Sequence, residues 1–302
     1  MRILRTLLLP FAILMGLLVP EAHQFAWMIR WLLALMVFLS FVGPSKASWK
    51  SAYRVLWRLL PLWFALGPAL ALLSGIIFHH HPDISWIFLL VAMAPTATAA
   101  PAVVRMRGGD PSIVVSGVVL QHILVGLLLP LWVAVFSALL WSSPLGISPW
   151  TIPVKIMTGT LPLILVPLLL GKGFRHFVPK VADQLVSFRP LSLFLWAVAV
   201  FLVVSRARAD FAGMDIMHGP GAYVKMAVIA LISLILCVVQ FALGRRLSTW
   251  SHKEEGAQIL GQKNTILMIW IAGTWFGPWV SLGPLFYVLW QNLYIAWLAR
   301  KS

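Results

Sequence analysis

The chain has 302 residues, 61% of them hydrophobic and only 10% charged, which is too apolar for a soluble domain and leaves room for about ten bilayer spans of ~20 residues each. Its formal charge of +15, from 23 Lys and Arg against 8 Asp and Glu, does not make it a nucleic-acid binder. No aromatic-interleaved basic patch or soluble module carries that reading, and the positive-inside bias of a polytopic protein gives the same excess. The single cysteine, Cys237, lies in an apolar run and can form neither an intramolecular disulfide nor a metal cluster, so no cofactor is expected.

In chain order, the first apolar run, Thr6 to Pro20, follows Arg2 and Arg5 as a signal peptide would, but Glu21-Ala22-His23-Gln24 offers no small-x-small cleavage pattern. It is read as a span. Nine more follow: Phe25 to Val42, Leu59 to Phe78, Ile84 to Val104, Ile113 to Trp141, Ile152 to Leu170, Leu191 to Ser205, Tyr223 to Leu243, Ile259 to Phe276 and Leu282 to Leu298. With the N-terminus inside, 17 of the 23 Lys and Arg fall in inner segments; Arg30, Lys155, Arg206, Arg208 and Lys225 fall outside, and Lys263 alone falls within a span. Both termini are therefore expected in the cytoplasm. The short outer loop Ser142 to Pro149 divides the chain into five spans over residues 1–141 and five over 150–302. An odd number per half reverses the second half in the membrane, the layout of an inverted repeat and of many secondary transporters.

Polar residues inside these spans are the functional candidates. The fourth span contains Met93-Ala94-Pro95-Thr96-Ala97-Thr98-Ala99-Ala100-Pro101. Pro95 and Pro101 each remove a backbone donor and clash with the preceding turn, which frees the carbonyls near Val91 and Ala97. Such a break is tolerated where protein or a water-lined cavity satisfies it, making Thr96 and Thr98 candidate ligands; a kinked helix with self-bonded threonines is the alternative. The ninth span carries Gly261-Gln262-Lys263-Asn264-Thr265. A central Lys costs ~2.5–3.5 kcal/mol to insert, unless the span starts at Thr265 and Lys263 snorkels to the cytoplasmic interface. Each cluster occupies the fourth of five spans, and paired interrupted spans are the best sequence pointer to a midplane transport site.

Gln121 and His122 in the fifth span suit either a proton relay or substrate contact, or else an interhelical hydrogen bond. Gln291 and Asn292 in the tenth are open in the same way. His79-His80-His81-Pro82-Asp83 fills a short outer loop without a second ligand cluster and reads as a solvated turn. All eight acidic residues fall in connections or at span ends, so no buried carboxylate is expected for a proton relay or bound sodium. No phosphate loop, zinc-protease helix or nucleophile elbow is present, so the chain is not expected to be an enzyme.

These residues resemble the bile acid:sodium symporter family from about the second span to the last. The fourth span is similar to that family's Pro-Gly-Gly-Thr-Ala-Ser-Asn crossover and following Gly-Asp turn, with Pro95, Thr98, Ala99, Gly109 and Asp110 in matching places. The ninth is similar to its Glu-x-Gly-x-Gln-Asn crossover through Gly261 and Asn264, and Pro278, Pro284 and Gln291-Asn292 resemble its last span. The resemblance implies an all-α membrane protein of ten helices in core and panel domains, with broken helices 4 and 9 crossing. It also implies alternating-access uptake of an organic anion with sodium. The departures fall on the ion site: Ala100 and Pro101 replace the family's Ser and Asn, Val114 and Val118 replace hydroxyl ligands, and Ile259 and Lys263 replace the Glu and Gln. A hard cation needs oxygen ligands, and here an ammonium replaces some of them.

The sequence therefore points to a secondary transporter of a small organic anion in a lipid bilayer, in a bacterial inner membrane and without conventional sodium coupling. Its expected site comprises Pro95, Thr96, Thr98, Pro101, His122, Gln262, Lys263 and Asn264. Proton coupling through Lys263 or His122, ordinary sodium coupling, or a receptor that kept the fold are the alternatives.

Overall fold

The computed structural model describes residues 2–42, 49–139, 150–187, 191–212 and 220–300; the loop Ser142 to Pro149 lies outside them. The described chain is helical, as buried backbone in hydrocarbon requires, because a helix satisfies its own amides and carbonyls. In order the helices are α1 (Arg2–Leu18), a 3-10 segment (Pro20–Met28) running into α2 (Ile29–Phe41), α3 (Trp49–Ile77), α4 (Pro82–Met93), α5 (Ala100–Met106), α6 (Pro111–Leu139) and α7 (Thr151–Phe177). Then come α8 (Pro179–Ser187), α9 (Leu191–Ala212), α10 (Pro220–Leu247), a 3-10 turn (Trp250–His252), α11 (Lys253–Gly261), α12 (Thr265–Trp275) and α13 (Pro278–Arg300). Five helices (α4, α6, α8, α10 and α13) open on a proline, where its fixed φ suits the first turn and its missing N–H costs nothing. Among the described residues five segments are long and apolar enough to cross a membrane: Pro20–Phe41, Trp49–Ile77, Pro111–Ala138, Thr151–Phe177 and Gly221–Leu247. The chain is an integral membrane protein.

Several boundaries differ from the hydropathy reading. α3 starts at Trp49 rather than Leu59 and carries Lys50, Arg54 and Arg58 in its first turns, while α7 continues past Leu170 to Phe177. Hydropathy marks where hydrocarbon contact begins; helical hydrogen bonding runs on through the interface. α8 occupies a connection expected to be a loop. The spans Ile84 to Val104 and Ile259 to Phe276, expected to be interrupted, are each two helices, α4 with α5 and α11 with α12, separated by extended backbone.

The chain forms two compact units, residues 1–44 with 163–228 and residues 45–162 with 229–302. In the first, α1 packs against α9 at Gly16, where a Cβ would stand 2.7 Å from the Phe201 carbonyl oxygen, and the Ser205 hydroxyl donates to the Val19 carbonyl at 2.8 Å. Gly171 lets α7 approach the end of α2, and Arg175 donates from Nε to the Val42 carbonyl at 3.1 Å while pairing with Asp183 of α8.

The second unit holds both interruptions. α3 and α4 are joined by the turn at His79-His80-His81 and pack at Gly67, against Met93 and the Leu89 carbonyl. Gly283 brings α13 onto Ile87 of α4, Gly117 of α6 receives Ile259, and Gly244 and Gly256 seat α10 and α11 in backbone contact. Small residues let helices approach closely where there is no hydrophobic drive between them. Gly277, at φ +93°, takes the left-handed position between α12 and α13 and donates to the Ala272 carbonyl at 2.9 Å.

Candidate functional site

Helix α4 stops at Met93 because Pro95 supplies no N–H and disfavours helical backbone before it; Ala94 is extended, at φ −53° and ψ 135°. Pro101, expected to break a helix, instead sits in the first turn of α5, where a proline fits; this corrects its assignment as a breaker. The second interruption has no proline. α11 ends at Gly261, and α12 restarts from Asn264, whose side-chain oxygen accepts from the Leu267 amide at 3.4 Å as an N-cap.

The two extended segments pair with each other. Thr96 and Lys263 form an antiparallel bridge, flanked by Ala97 N–H to the Gln262 carbonyl and Asn264 N–H to the Pro95 carbonyl, both 2.7 Å. The bonds flank the pair, so Thr96 and Lys263 are its non-hydrogen-bonded partners, and their own backbone groups must be met from elsewhere. Gln121 of α6 accepts from the Thr96 amide at 2.8 Å. Gln291 of α13 accepts from the Lys263 amide at 2.9 Å and donates to its carbonyl at 3.2 Å. Tyr287 donates to the Gly261 carbonyl at 2.7 Å, and Trp63 of α3 donates to the Ala94 carbonyl at 3.1 Å. The Thr96 hydroxyl lies 2.6 Å from the Ile259 carbonyl oxygen and 2.8 Å from Gln121 Oε1.

Lys263 is 1% exposed, with α11 separating it from the start of its span, so it does not snorkel. Its Nζ donates to the Ala92 and Ala94 carbonyls, each at 3.0 Å. Ala92 belongs to the last turn of α4, whose carbonyls lack intrahelical partners and carry the negative end of the helix dipole. Oxygens that would suit a hard cation thus face the lysine nitrogen. Around them the family's expected ligand positions hold hydrocarbon: Val114, Val118 and Ile259 are buried, with Ile259 packed at Gly117. These three side chains supply no oxygen to the group of carbonyls that Lys263 occupies.

His122 is buried, with Nδ1 2.8 Å from the Val118 carbonyl oxygen and Nε2 3.0 Å from Asn264 Nδ2. The carbonyl requires the proton on Nδ1, leaving Nε2 to accept from the amide; both nitrogens serve interhelical or intrahelical bonds. Thr98 is half-buried and its hydroxyl has no partner among the described residues. Gln121 Nε2 and Gln262 Oε1 are buried donor and acceptor without partners among the described residues. Of the eight expected residues, Pro95, Thr96, His122, Gln262, Lys263 and Asn264 are joined by this network, Thr98 lies on its rim, and Pro101 begins the next helix.

One expectation about acids is corrected. Glu255, counted as a span-end residue, is 3% exposed, accepting from the Asp110 amide at 2.6 Å with His252 Nδ1 3.4 Å away. Its neighbour Glu254 pairs with Arg245 and Arg107. These bonds tie α5, α6, α10 and α11 at the far end of α11 from the crossover. Among the described residues no three His, Cys, Asp or Glu side chains group to hold a metal ion.

Sequence reasoning missed Trp63 and Tyr287, whose polar tips are hidden in otherwise apolar side chains. A polar aromatic opposite an interrupted span is the signal that would have found them. A family model, the sodium bile acid symporter family, matches residues 26–213, more than half the chain and inclusive of the first crossover segment. The chain belongs to that family, and is a membrane transporter of the bile acid symporter type and not an enzyme. No curated protein matches it.

Proposed function

We propose that this family member is a secondary transporter of a small organic anion, working by alternating access and without sodium coupling. The observation that carries the reading is Lys263: its Nζ takes the Ala92 and Ala94 carbonyls, acting as a tethered cation that holds the crossover together and gives an anion its counter-charge. A sodium ion and this nitrogen would compete for the same oxygens, and the surrounding hydrocarbon offers none in exchange.

The ten spans are α1, α2 with its 3-10 start, α3, α4 with α5, α6, α7, α9, α10, α11 with α12, and α13. An inverted repeat is supported at residue level: Gln121 in the fifth span holds the Thr96 amide as Gln291 in the tenth holds that of Lys263. Each glutamine precedes a polar residue, His122 or Asn292. The unit containing residues 45–162 and 229–302 is assigned as the core and the other as the panel. The 17 of 23 basic residues on one side support a bacterial inner-membrane protein with both termini cytoplasmic. Thr98, Gln121 Nε2 and Gln262 Oε1 are the polar groups left to meet a substrate.

Uptake of a panel of organic anions into proteoliposomes, with sodium or choline at equal ionic strength, tests the proposal. Accumulation equal in both salts is expected. Steep, saturable sodium dependence overturns the ion assignment; binding without accumulation identifies a receptor instead.

A further inference from the structure

Helix α3 is longer than the hydrocarbon it crosses. Its 29 residues rise 1.5 Å each and make ~43 Å of helix, against ~30 Å of hydrocarbon. Counted back from Ile77, beside the polar turn at His79-His80-His81, the ~20 residues that fill the hydrocarbon reach the opposite edge at Arg58. The turns from Trp49 to Trp57 therefore stand in the headgroup layer.

The surface of this projecting part is divided. Ala52, Val55, Leu56 and Leu59 are buried on one face. On the other, two ridges at i, i+4 spacing run side by side. One is aromatic: Trp49, Tyr53 and Trp57 are all exposed, and Tyr53 stacks on Trp57 at 6.1 Å between ring centroids. The second ridge is cationic, with Lys50, Arg54 and Arg58 each following one ring in sequence and likewise exposed. These three have no hydrogen-bond or ion-pair partner among the described residues, and α3 carries no acidic residue. Other basic residues differ: Arg107 and Arg245 share Glu254, Arg175 pairs with Asp183, and Arg206 with Asp210.

Three aligned positive charges without an anion of their own thus lie at the depth of lipid phosphates. Amphipathic rings beside them suit a layer that is apolar at one end and wet at the other, and a basic segment there attracts anionic lipid. A second copy of the chain would set like charges face to face. We propose that the exposed face of α3 from Trp49 to Arg58 binds anionic phospholipid: phosphate oxygens accept from Lys50, Arg54 and Arg58, and the glycerol region packs on the three rings. The site needs only α3 in a bilayer, so it stands or falls separately from the transport reading.

The test follows the Tm of the full chain in neutral detergent as phosphatidylglycerol or phosphatidylcholine is added, since binding to the folded state raises its stability by mass action. Phosphatidylglycerol should give the larger rise. Lys50→Gln/Arg54→Gln/Arg58→Gln should raise the phosphatidylglycerol concentration needed for half that rise by about tenfold or more. Should the triple variant not fold, Arg54→Gln alone, at the centre of the ridge, should raise it about threefold. Removing three exposed cations elsewhere, in Lys172→Gln/Lys180→Gln/Arg246→Gln, should change it less than about twofold. Arg54→Lys/Arg58→Lys keeps the charge and should bind nearly as well, whereas Tyr53→Leu/Trp57→Leu keeps the cations and should weaken binding by a smaller factor than their loss. Equal shifts in the two triple variants would reduce the effect to diffuse attraction by net charge and overturn the site. So would an equal rise with phosphatidylcholine. The same rise from glycerol 3-phosphate would replace the lipid by a free phosphate, and a smaller particle by light scattering in the α3 triple variant would assign the face to a second copy; either result overturns the proposal.

Discussion

The two interruptions of the second unit reach the same backbone geometry by different chemistry. The first is imposed locally: Pro95 denies α4 a donor and turns the chain into an extended strand. The second is imposed by packing. Gly261 lies where a Cβ would come within 2.4 Å of the Phe241 ring, and Asn264 restarts the helix by capping it. The side chains at the paired positions differ as well. Thr96 spends its hydroxyl on the Ile259 carbonyl, while Lys263 sends its nitrogen across to the end of α4. One strand therefore supplies carbonyl oxygens and the other a positive group to meet them. Two similar breaks in the chain thus need not be two similar binding half-sites.

That asymmetry is most directly broken at Lys263. Lys263→Met leaves the Ala92 carbonyl without a donor and the Ala94 carbonyl with Trp63 alone, and a buried unmet group costs about 1–3 kcal/mol; transport per inserted molecule should fall to background. Lys263→Arg should recover little, because a planar guanidinium does not replace a compact ammonium. Full uptake by the Met variant would remove Lys263 from the mechanism.

The two glutamine clamps are expected to be unequal. Gln291→Leu strands the Lys263 amide and takes one of two donors from its carbonyl, which keeps the Thr265 amide at 2.9 Å, for a loss of about 1–3 kcal/mol, while Gln121→Leu strands the Thr96 amide but also removes a buried amide donor without a partner among the described residues and should cost less. Thermal unfolding of the two variants in one detergent ranks them, and the reverse order would show that the first strand depends more on its clamp than the second.

Gly261→Ala should destabilise by about 1–3 kcal/mol through its clash with Phe241, most of it recovered when Phe241→Leu is added. Absence of that recovery would place the strain elsewhere. The smallest effect belongs to the cap: Asn264→Ala should cost about 1 kcal/mol, and Asn264→Asp, which keeps the acceptor for Leu267 but loses the donor to His122, should retain the cap contribution alone. If Asp and Ala behave alike, the His122 bond rather than the cap dominates at this position.

Much of the site was legible because polar residues are costly in hydrocarbon. Thr96, Gln262, Lys263 and Asn264 stand out against apolar runs for that reason, and Pro95 announces a break by its missing donor. Other parts were hidden. Trp63 and Tyr287 count as apolar in any hydropathy sum, yet their polar tips meet freed carbonyls. Pro101 has the same local chemistry as Pro95, and only its place in the first turn of α5 makes it a helix starter. Glu255 is one residue from a charged neighbour and a few from a span end, so linear distance suggested exposure; folding places it beneath the Asp110 turn.

By itself the sequence determined that the chain lives in a bilayer, that its backbone must be helical there, and that two spans carry polar groups whose insertion cost needs a partner. Those conclusions follow from local composition and the absence of water in hydrocarbon. Only the tertiary structure decided which partner each group takes. Lys263 meets carbonyls 169 and 171 residues away, and Thr96 one 163 residues away. Such pairings are set by which helices pack side by side, through glycines at Gly67, Gly117, Gly261 and Gly283. No local pattern encodes that register, because a buried hydrogen bond is fixed by the geometry of both its ends.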